Sequence, residues 1–288
     1  MKPLLARLIS ALTANRFSQL CLLKGAWFAD YLMGVGAGAN VDTSGEASVL
    51  GRLKDAPGKG ELVVFDVGSN LGQFLQMSAK ALAGRAYRMH CFEPGTAAYS
   101  SLLRNAEGIE NITLNNTALG RETGERLLFM DKPGSRLASL TKRRLDHFGK
   151  TFAESEAVPV DTLDNYCALH GVEHIDLLKL DAEGHELDIL AGGAEMLRKN
   201  AIRFVLFEFG GCNIDTRTFV QDFYYLFRYH NMRIARITPG GFWFELGNYR
   251  EIYEQFRTTR FVAYPTGSSD GPAWHEIREP AHLSEGQR

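Results

Sequence analysis

The stretch LVVFDVGSNLG, residues 62–72, decides the fold class of this chain. Its first part, residues 62–66, is a continuous valine-rich run, a pattern typical of a strand that is buried on both faces. A glycine-rich loop follows directly, and a segment of helical character begins at Asn70. A glycine loop lets a ligand approach the backbone closely, and the N–H groups at a helix start favour anionic groups. The stretch therefore predicts a strand, a ligand-binding loop and a helix.

Strands and helices alternate on both sides of a polar middle segment. Further strands are predicted at 86–93, 111–119, 175–180, 204–209, 233–237, 242–246 and 261–264, with helices at 95–105, 186–199 and 218–230. This alternation predicts an α/β fold with a mostly parallel sheet. Ligands of such sheets bind beyond the carboxyl ends of the strands, where this chain carries polar residues. These strand-terminal residues are Asp66, Glu93, Asn116, Asp181 and Glu208.

The loop pattern distinguishes between two classes of nucleotide ligand. The loop at 68–72 is G-x-N-x-G, whereas dinucleotide sites use G-x-G-x-x-G with a pyrophosphate over the helix. Asp66 would repel a pyrophosphate but suits a cationic amino group, and Glu93 can accept both hydroxyls of a ribose. These residues favour an aminoacyl nucleoside over NAD. Residues 34–39 match G-x-G-x-x-A literally, but no strand precedes them, so they are interpreted as a flexible connector.

Composition excludes several classes of protein. The 288 residues carry 32 Lys+Arg against 34 Asp+Glu, a net charge of −2, which excludes a broad cationic surface and hence nucleic acid as the main partner. The four cysteines form no C-x-x-C pair, so neither a zinc site nor a disulfide framework is predicted. Buried free thiols in a reducing, cytoplasmic compartment are expected. No apolar run reaches about 18 residues, so no transmembrane helix is predicted.

Several motifs together carry a family resemblance. VFDVGSNLGQF, CFEP, NNTALG, VDTLDNY and IDLLKLDAEGHELDILAGG followed by FEF resemble the FkbM family of S-adenosylmethionine-dependent methyltransferases over about residues 61–265. The K-x-D-x-E-G-x-E stretch, Lys179 to Glu186, is the most family-specific part. The resemblance implies a Rossmann-like, seven-stranded, mostly parallel sheet, as in class I methyltransferases. It also implies methyl transfer to a hydroxyl of a sugar, glycan or natural product.

The resemblance also implies roles for individual residues. Asp66, Gly68, Asn70 and Gly72 would surround the methionine part of the donor, and Glu93 would hold its ribose. Asn116 and Ala118 would lie by the adenine. The floor between donor and acceptor would be formed by Asp181, Glu183 and Gly184.

The acceptor hydroxyl needs a base, because an alcohol is a poor nucleophile until its proton is removed. Asp181, Glu183, His185 and Glu208 are candidates, and placement at strand ends favours Asp181 and Glu208. Lys179 lies on the same side of its strand as Asp181 and is expected to pair with a carboxylate. A magnesium ion at Asp181 and Glu208 is a second mechanism. It ranks below the metal-free one because only two strong ligands are visible, so no metal residue is assigned.

Three segments are predicted: a helical N-terminal extension (1–60), a methyltransferase domain (61–265) and a flexible C-terminal tail (266–288). Residues 4–12 carry the apolar stripe of an amphipathic helix. It would pack on the main domain, on a second copy of the chain in a homo-oligomer, or on a membrane surface. The basic run 141–144 is interpreted as a solvated loop, and Trp243 as hairpin core. Two alternative functions stay open: a catalytically silent binding protein and a nicotinamide-dependent oxidoreductase.

Overall fold

A computed structural model describes residues 3–56 and 60–267 of the chain. The helices are α1 (Pro3–Thr13), α2 (Arg16–Leu32), α3 (Ala47–Lys54), α4 (Gln73–Ala81), α5 (Thr96–Asn105), α6 (Leu163–Leu169), α7 (Glu186–Ala191), α8 (Ala194–Arg198), α9 (Cys212–Thr216) and α10 (Val220–Tyr229). The strands are β1 (Leu62–Val67), β2 (Tyr87–Phe92), β3 (Ile112–Asn115), β4 (Ala118–Gly120), β5 (Gly124–Met130), β6 (Glu154–Thr162), β7 (Ile175–Leu180), β8 (Ile202–Phe209), β9 (Met232–Ile237), β10 (Trp243–Glu245) and β11 (Thr259–Pro265).

The main sheet confirms the α/β fold and corrects the strand count. Its order is β10-β9-β11-β8-β7-β1-β2-β3, eight strands rather than the seven expected. Five neighbouring strands of this sheet, β3, β2, β1, β7 and β8, run parallel to one another. β11 is antiparallel to both of its neighbours, β8 and β9. The strand beyond the seven that the family resemblance implies is β10, which was predicted at 242–246 and forms an edge hairpin with β9. Trp243 in β10 is fully buried, in agreement with its interpretation as hairpin core.

The strand predicted at 111–119 is two strands in different sheets. β3 ends at Asn115 and pairs with β2, whereas β4 joins a separate three-stranded sheet of order β4-β6-β5. The turn between them includes Asn116, whose side chain bonds to the backbone of the preceding strand–helix loop. A polar residue that bonds to a neighbouring loop in this way interrupts a strand, which the alternation pattern alone does not show.

Alternate residues of the central strands build two apolar cores, one on each face of the sheet. Val63 and Phe65 of β1 lie in one core, and Leu62 and Val64 lie in the other. The second core also contains the buried side chains of α3, which packs against α4. α3, which precedes the boundary predicted at residue 60, is thus part of this core.

The glycine-rich segment 34–38 is closely packed and is not the flexible connector that was expected. Gly34 has a φ of 96°, and a Cβ added there would lie 2.2 Å from the carbonyl oxygen of Ile237. The N–H of Gly38 donates to the carbonyl oxygen of Thr258 at 2.9 Å. Val35 and Ala37 are buried. This segment is therefore held against the end of β9 and the residue before β11.

The two N-terminal helices differ from the rest of the described chain. Within the residues described, α2 buries no side chain. Cys21 on α2 is exposed, which corrects the expectation of buried thiols, although Cys91, Cys167 and Cys212 are buried. No helix of the described ranges is long and apolar enough to cross a bilayer. From residue 268 onwards, the predicted C-terminal tail lies outside the described residues.

Candidate functional site

A cavity of about 1120 Å³ opens at the carboxyl ends of β1, β2, β7 and β8. It lies at the topological switch point of the sheet. From β1, strand order proceeds to one side through β2 and β3, and to the other side through β7 and β8. Residues 68–70 and Glu93 form one side, which we call the glycine-loop wall. Asp181, Glu183 and Glu208, with Arg143 and Arg260 bonded to them, form the opposite side, which we call the ionic wall.

The glycine-loop wall depends on a close approach of two strand ends. Gly68 follows β1 with a φ of 81°, and a Cβ added there would lie 2.0 Å from the carbonyl oxygen of Asp181. The N–H of Gly68 donates to the carbonyl oxygen of Phe92 at 2.9 Å. Only glycine fits this position, since both the backbone conformation and the space exclude a side chain. The loop therefore exposes backbone directly to the cavity.

Glu93 is the buried acid of the same wall. Its Oε2 accepts the N–H of Asn70 and its Oε1 accepts the N–H of Gly95, both at 2.9 Å. Burial raises the pKa of Glu93 to about 7, although these two N–H groups favour the ionised form. No described cation lies within ion-pair distance of this carboxylate. Each oxygen keeps acceptor capacity for a hydroxyl group, as the ribose role requires.

Asn70 carries the unsatisfied polar atom of this wall. Its side-chain Oδ1 is buried and, among the described residues, has no hydrogen-bond partner. A buried carbonyl oxygen without a partner costs free energy, so a ligand that donates a hydrogen bond there would stabilise the fold. Asn70 has a φ of 47°, a left-handed conformation that asparagine tolerates better than most residues.

The other predicted cofactor residues divide into lining and supporting groups. Ala118 lines the cavity, whereas Asp66, Gly72 and Asn116 do not. Asp66 is fully buried, and its Oδ1 accepts from Lys179 Nζ at 2.9 Å. Gly72 precedes α4 with a φ of 86°.

The Asn116 side chain donates to the carbonyl oxygens of Glu93 and Pro94 at 2.9 and 3.0 Å. Asn116 therefore holds the loop that carries Glu93 and does not face the cavity. The amino-group role expected for Asp66 has to be reconsidered in the same way, because Lys179 already neutralises that carboxylate.

Arg260 organises the ionic wall. Its two terminal nitrogens lie 2.8 Å from Asp181 Oδ2 and 2.9 Å from Glu208 Oε2. Its Nε lies 3.1 Å from Glu46 Oε1, on the segment before α3. Lys179 Nζ lies 3.7 Å from Asp181 Oδ2 as well as in contact with Asp66, so the expected pairing of this lysine is confirmed. One arginine thus joins three parts of the chain.

The two strand-end acids of the ionic wall differ in protonation. Burial acts to raise the pKa of Asp181, but Arg260 and Lys179 together hold it below its usual range. Burial and the neighbouring Asp181 charge raise the pKa of Glu208 well above its usual range. Asp181 is therefore the acid of the pair that stays ionised near neutral pH, whereas Glu208 holds a proton more strongly than an ordinary glutamate does.

Glu183 pairs with Arg143, whereas Asp181 and Glu208 share Arg260. Its carboxylate contacts Arg143, which also lies 3.4 Å from Asp215. Arg143 is buried, so the interpretation of residues 141–144 as a solvated loop is wrong for this residue. Burial raises the pKa of Glu183 to about 8 despite the arginine. Ser139 Oγ donates to the carbonyl oxygen of Glu183 at 2.9 Å, which fixes the turn that places this acid.

His185 lines the cavity next to this turn. Its Nδ1 lies 3.0 Å from Asp188 Oδ2, and its Nε2 lies 3.0 Å from Thr141 Oγ1. The carboxylate of Asp188 orients the ring, as in catalytic dyads of histidine and acid. Both ring nitrogens are engaged, so His185 acts as a base only after Thr141 gives way to an acceptor hydroxyl.

A magnesium ion does not fit the donor set. The guanidinium of Arg260 lies between Asp181 and Glu208, where the ion was considered. Glu183, Glu208 and Cys212 come within 4.8 Å of one another. However, both acids are paired with arginines, and burial raises the pKa of the Cys212 thiol above its usual range. A hard cation prefers oxygen ligands that are not already paired.

S-adenosylmethionine fits the residues of the glycine-loop wall. Backbone is exposed at Gly68, an acceptor is orphaned at Asn70 Oδ1, and a buried acid at Glu93 keeps free lone pairs. Asn70 and Glu93 could hold the amino and ribose groups respectively. Ala118 lines the same cavity with a small apolar side chain, beside which an adenine base could lie.

Sequence reasoning missed Arg260, Glu46 and Arg143. Arg260 directly precedes an apolar strand run, and a charged residue inside a buried strand is a signal that a partner must exist. That signal does not name the partner, since Glu46, Asp181 and Glu208 are far apart in sequence. Arg143 gives no signal, because an arginine in a basic run is usually solvated.

Comparison with known proteins gives both a family and individual relatives. The family model described as methyltransferase FkbM domain matches residues 66–233, more than half of the chain. The 2-O-methyltransferase NoeI of Sinorhizobium fredii (strain NBRC 101917 / NGR234) is 29% identical over 165 residues, 52% of this chain and 64% of the relative. Methyltransferase 1 of Beauveria bassiana (strain ARSEF 2860) is 26% identical over 155 residues, 48% of this chain and 60% of the relative. The chain thus spans less than two thirds of the length of either relative.

Solved structures of methyltransferases are similar to a lesser degree. Methyltransferase FkbM from Methylobacillus flagellatus KT has a TM-score of 0.44 at 15% identity, covering 72% of this chain and 44% of that one. An rRNA methylase from Streptococcus thermophilus has a TM-score of 0.41 at 11% identity, covering 79% of this chain and 98% of that one.

Proposed function

We propose that this chain, which belongs to the FkbM methyltransferase family, transfers a methyl group from S-adenosylmethionine to a hydroxyl of a sugar, glycan or natural product. The observation that carries the proposal is the pairing of two walls across one cavity. Glu93 and the orphaned Asn70 Oδ1 suit the donor on one side, and ionised Asp181 stands on the other. A family of methyltransferases gives no support to the nicotinamide-dependent alternative.

The donor, when bound, supplies an activated methyl group on a sulfonium, which is displaced in one step. The residues of this chain orient the two reactants and accept the proton. Orientation supplies much of the rate effect in such a displacement, because reacting atoms must be close and aligned. The cavity of about 1120 Å³ exceeds the roughly 1,000 Å³ upper range of pockets for one small ligand. It therefore has room for an acceptor beside the donor.

Asp181 is the proposed acceptor of the hydroxyl proton. It lines the cavity and is the ionised strand-end acid, since Arg260 and Lys179 stabilise its charge. Its lowered pKa makes it a weak base, so it would hold the hydroxyl by a hydrogen bond along the line of attack and take the proton only as the new carbon–oxygen bond forms. Lys179 and Glu208 would position Asp181 and do not receive the proton. His185, oriented by Asp188, is the competing base.

The acceptor class rests on the relative named a 2-O-methyltransferase and on the polar side chains among the residues that line the cavity. A neutral or weakly charged acceptor is proposed, because the charges of the ionic wall are already paired among themselves. A cytoplasmic location is proposed on the presence of four free cysteines, among which Cys21 is exposed.

Calorimetry with S-adenosylhomocysteine and, separately, with NADH tests the donor. We expect binding of S-adenosylhomocysteine and none of NADH, because Asn70 and Glu93 suit an aminoacyl nucleoside. Binding of NADH alone would end the methyltransferase proposal.

A screen of nucleotide sugars and glycans for methyl transfer then tests the base. With an acceptor in hand, Asp181→Asn should lower kcat about 100-fold or more at saturating donor, whereas His185→Asn should lower it less than about tenfold. The reverse ranking would assign the proton to His185. Donor binding without turnover on any hydroxyl acceptor would favour the silent binding protein.

A further inference from the structure

The helix α2 has an unusual exposed surface. Phe17, Trp27 and Phe28 are 77%, 59% and 66% exposed, and the described side chains of this helix include no buried one. By contrast, α10 buries Val220, Phe223 and Phe227 against the sheet, as a helix of a folded domain does. Apolar surface of this extent on one segment marks an interaction site.

The charges of this segment have a single sign. From residue 3 to residue 29 the sequence contains no Asp or Glu, and its basic residues Arg7, Arg16 and Lys24 are all exposed. A second copy of the chain would bring the same positive charges together, which disfavours self-association through this surface. An anionic lipid surface would attract all three.

The composition of α2 suits the boundary between lipid and water. Lys24 stands one helical turn from both Leu20 and Phe28, so its aliphatic stem can cover apolar surface while its ammonium stays in water. Trp27 and Tyr31 each join an apolar ring to a polar group, the property that favours aromatic residues at such boundaries. We propose that α1 and α2 dock the protein on an anionic lipid bilayer, lying in the interface without crossing it.

The structure connects this surface with the cavity. Asp30 at the end of α2 pairs with Arg257 at 2.8 Å, and the Arg257 guanidinium lies 5.4 Å from the Trp27 ring centre. These contacts attach the end of α2 to the segment before β11. Residues 39–42, which follow shortly in the chain, line the cavity. Docking would therefore hold residues 39–42 of the cavity wall close to the lipid. The proposed membrane docking does not depend on methyl transfer.

Sedimentation of the full chain with lipid vesicles tests the proposal. We expect binding to vesicles of phosphatidylcholine with phosphatidylserine, and weak binding to phosphatidylcholine alone or in high salt. Each basic residue near such a surface is worth roughly fivefold in affinity, so Arg16→Gln with Lys24→Gln should weaken binding roughly 25-fold. Leu23→Ser with Phe28→Ser should weaken it at least as much, since these exposed side chains would enter the lipid.

The matched control is Leu169→Ser with Phe148→Ser, the same residue types at sites that are each 72% exposed elsewhere. This control should bind vesicles like the unchanged protein, and circular dichroism should show all variants folded. Absence of vesicle binding, or binding that does not depend on phosphatidylserine, would overturn the proposal. Sedimentation velocity that shows a dimer dispersed by Phe28→Ser, with no vesicle binding, would assign the surface to a second copy instead.

Discussion

The two walls of the cavity solve different physical problems with different parts of the chain. The glycine-loop wall comes from two short loops, one after β1 and one after β2. It depends on the backbone conformation at Gly68 and on the buried acid Glu93. The ionic wall joins residues that are far apart in sequence, since Arg260 of β11 contacts Asp181 and Glu208 and approaches Glu46. One wall therefore depends on backbone conformation and close packing of the backbone, and the other on charge balance between distant segments.

This difference predicts how substitutions should affect each wall. In the glycine-loop wall, Asn70 Oδ1 has no partner among the described residues and Glu93 accepts from two backbone N–H groups, so both keep acceptor capacity for a ligand. The ionic wall pairs its charges almost completely and leaves one ionised acid at the cavity. Substitutions in the first wall should impair packing or ligand binding locally, whereas substitutions in the second should release uncompensated buried charge.

Replacement of Gly68 by Ala should give the largest effect. A Cβ at this position would lie 2.0 Å from the carbonyl oxygen of Asp181, and the φ of 81° adds strain, so we expect a loss of more than about 4 kcal/mol in the free energy of unfolding. Urea denaturation measures it. Gly84→Ala is the matched control, because Gly84 has a φ of 85° but no atom within 4 Å, and it should cost about 1 kcal/mol. Equal losses in the two variants would mean that close approach does not shape this wall.

Replacement of Arg260 by Met should come next. It leaves Asp181 and Glu208 without their shared cation, and removing one partner of a buried ion pair costs about 3 kcal/mol or more. Arg233→Met is the control, because Arg233 pairs with Glu245 at the surface and should cost at most about 1 kcal/mol. If denaturation shows no difference between these variants, the ionic wall is not held together by Arg260.

Replacement of Glu93 by Gln should give the smallest effect and a pH signature. Ribose hydroxyls donate best to an ionised carboxylate, so affinity for S-adenosylhomocysteine should rise as pH passes through about 7, the pKa of Glu93. The substitution should weaken binding roughly tenfold above that pH and abolish the rise. Calorimetry at several pH values measures both, with Glu107→Gln as control, because Glu107 is exposed and does not line the cavity. A persistent rise in Glu93→Gln would assign the pH dependence to another group.

The same raised pKa predicts the direction of a stability change. Folded Glu93 binds its proton more tightly than an unfolded glutamate, whose pKa is about 4.3. Its contribution to the free energy of unfolding is therefore full below about pH 4.3 and is lost as pH rises towards about 7. In Glu93→Gln this loss should be absent from a series of urea titrations over that range.

Much of the glycine-loop wall could be predicted from the sequence, because a valine-rich strand, a glycine loop and a following acid are consecutive signals. The places of Gly68, Asn70, Glu93 and Ala118 at the cavity agree with those signals. Asp66 could be predicted as a strand-end acid but not as the partner of Lys179, since the pairing depends on β1 and β7 lying side by side. The roles of these residues toward a donor stay predictions.

In the N-terminal region as well, the sequence predicts local structure but not tertiary contacts. Its helical character could be predicted from apolar spacing, but the spacing does not tell that α3 enters the core while α2 buries nothing. Both helices contain apolar residues at helical intervals, and only the neighbouring surface decides which of them is covered. Residues 34–38, predicted to be flexible, are fixed by contacts with β9 and with Thr258.

The sequence by itself determined the α/β class, the strand ends that carry polar groups, and the FkbM resemblance, because each depends on residues that are close together in the chain. Only the tertiary structure decided the eight-stranded order, the burial of Arg143 and the bridge from Arg260 to Glu46, Asp181 and Glu208. The physical reason is that ion pairing and packing depend on distance in space. A buried arginine indicates that a partner exists, but only the folded chain shows which acids surround it.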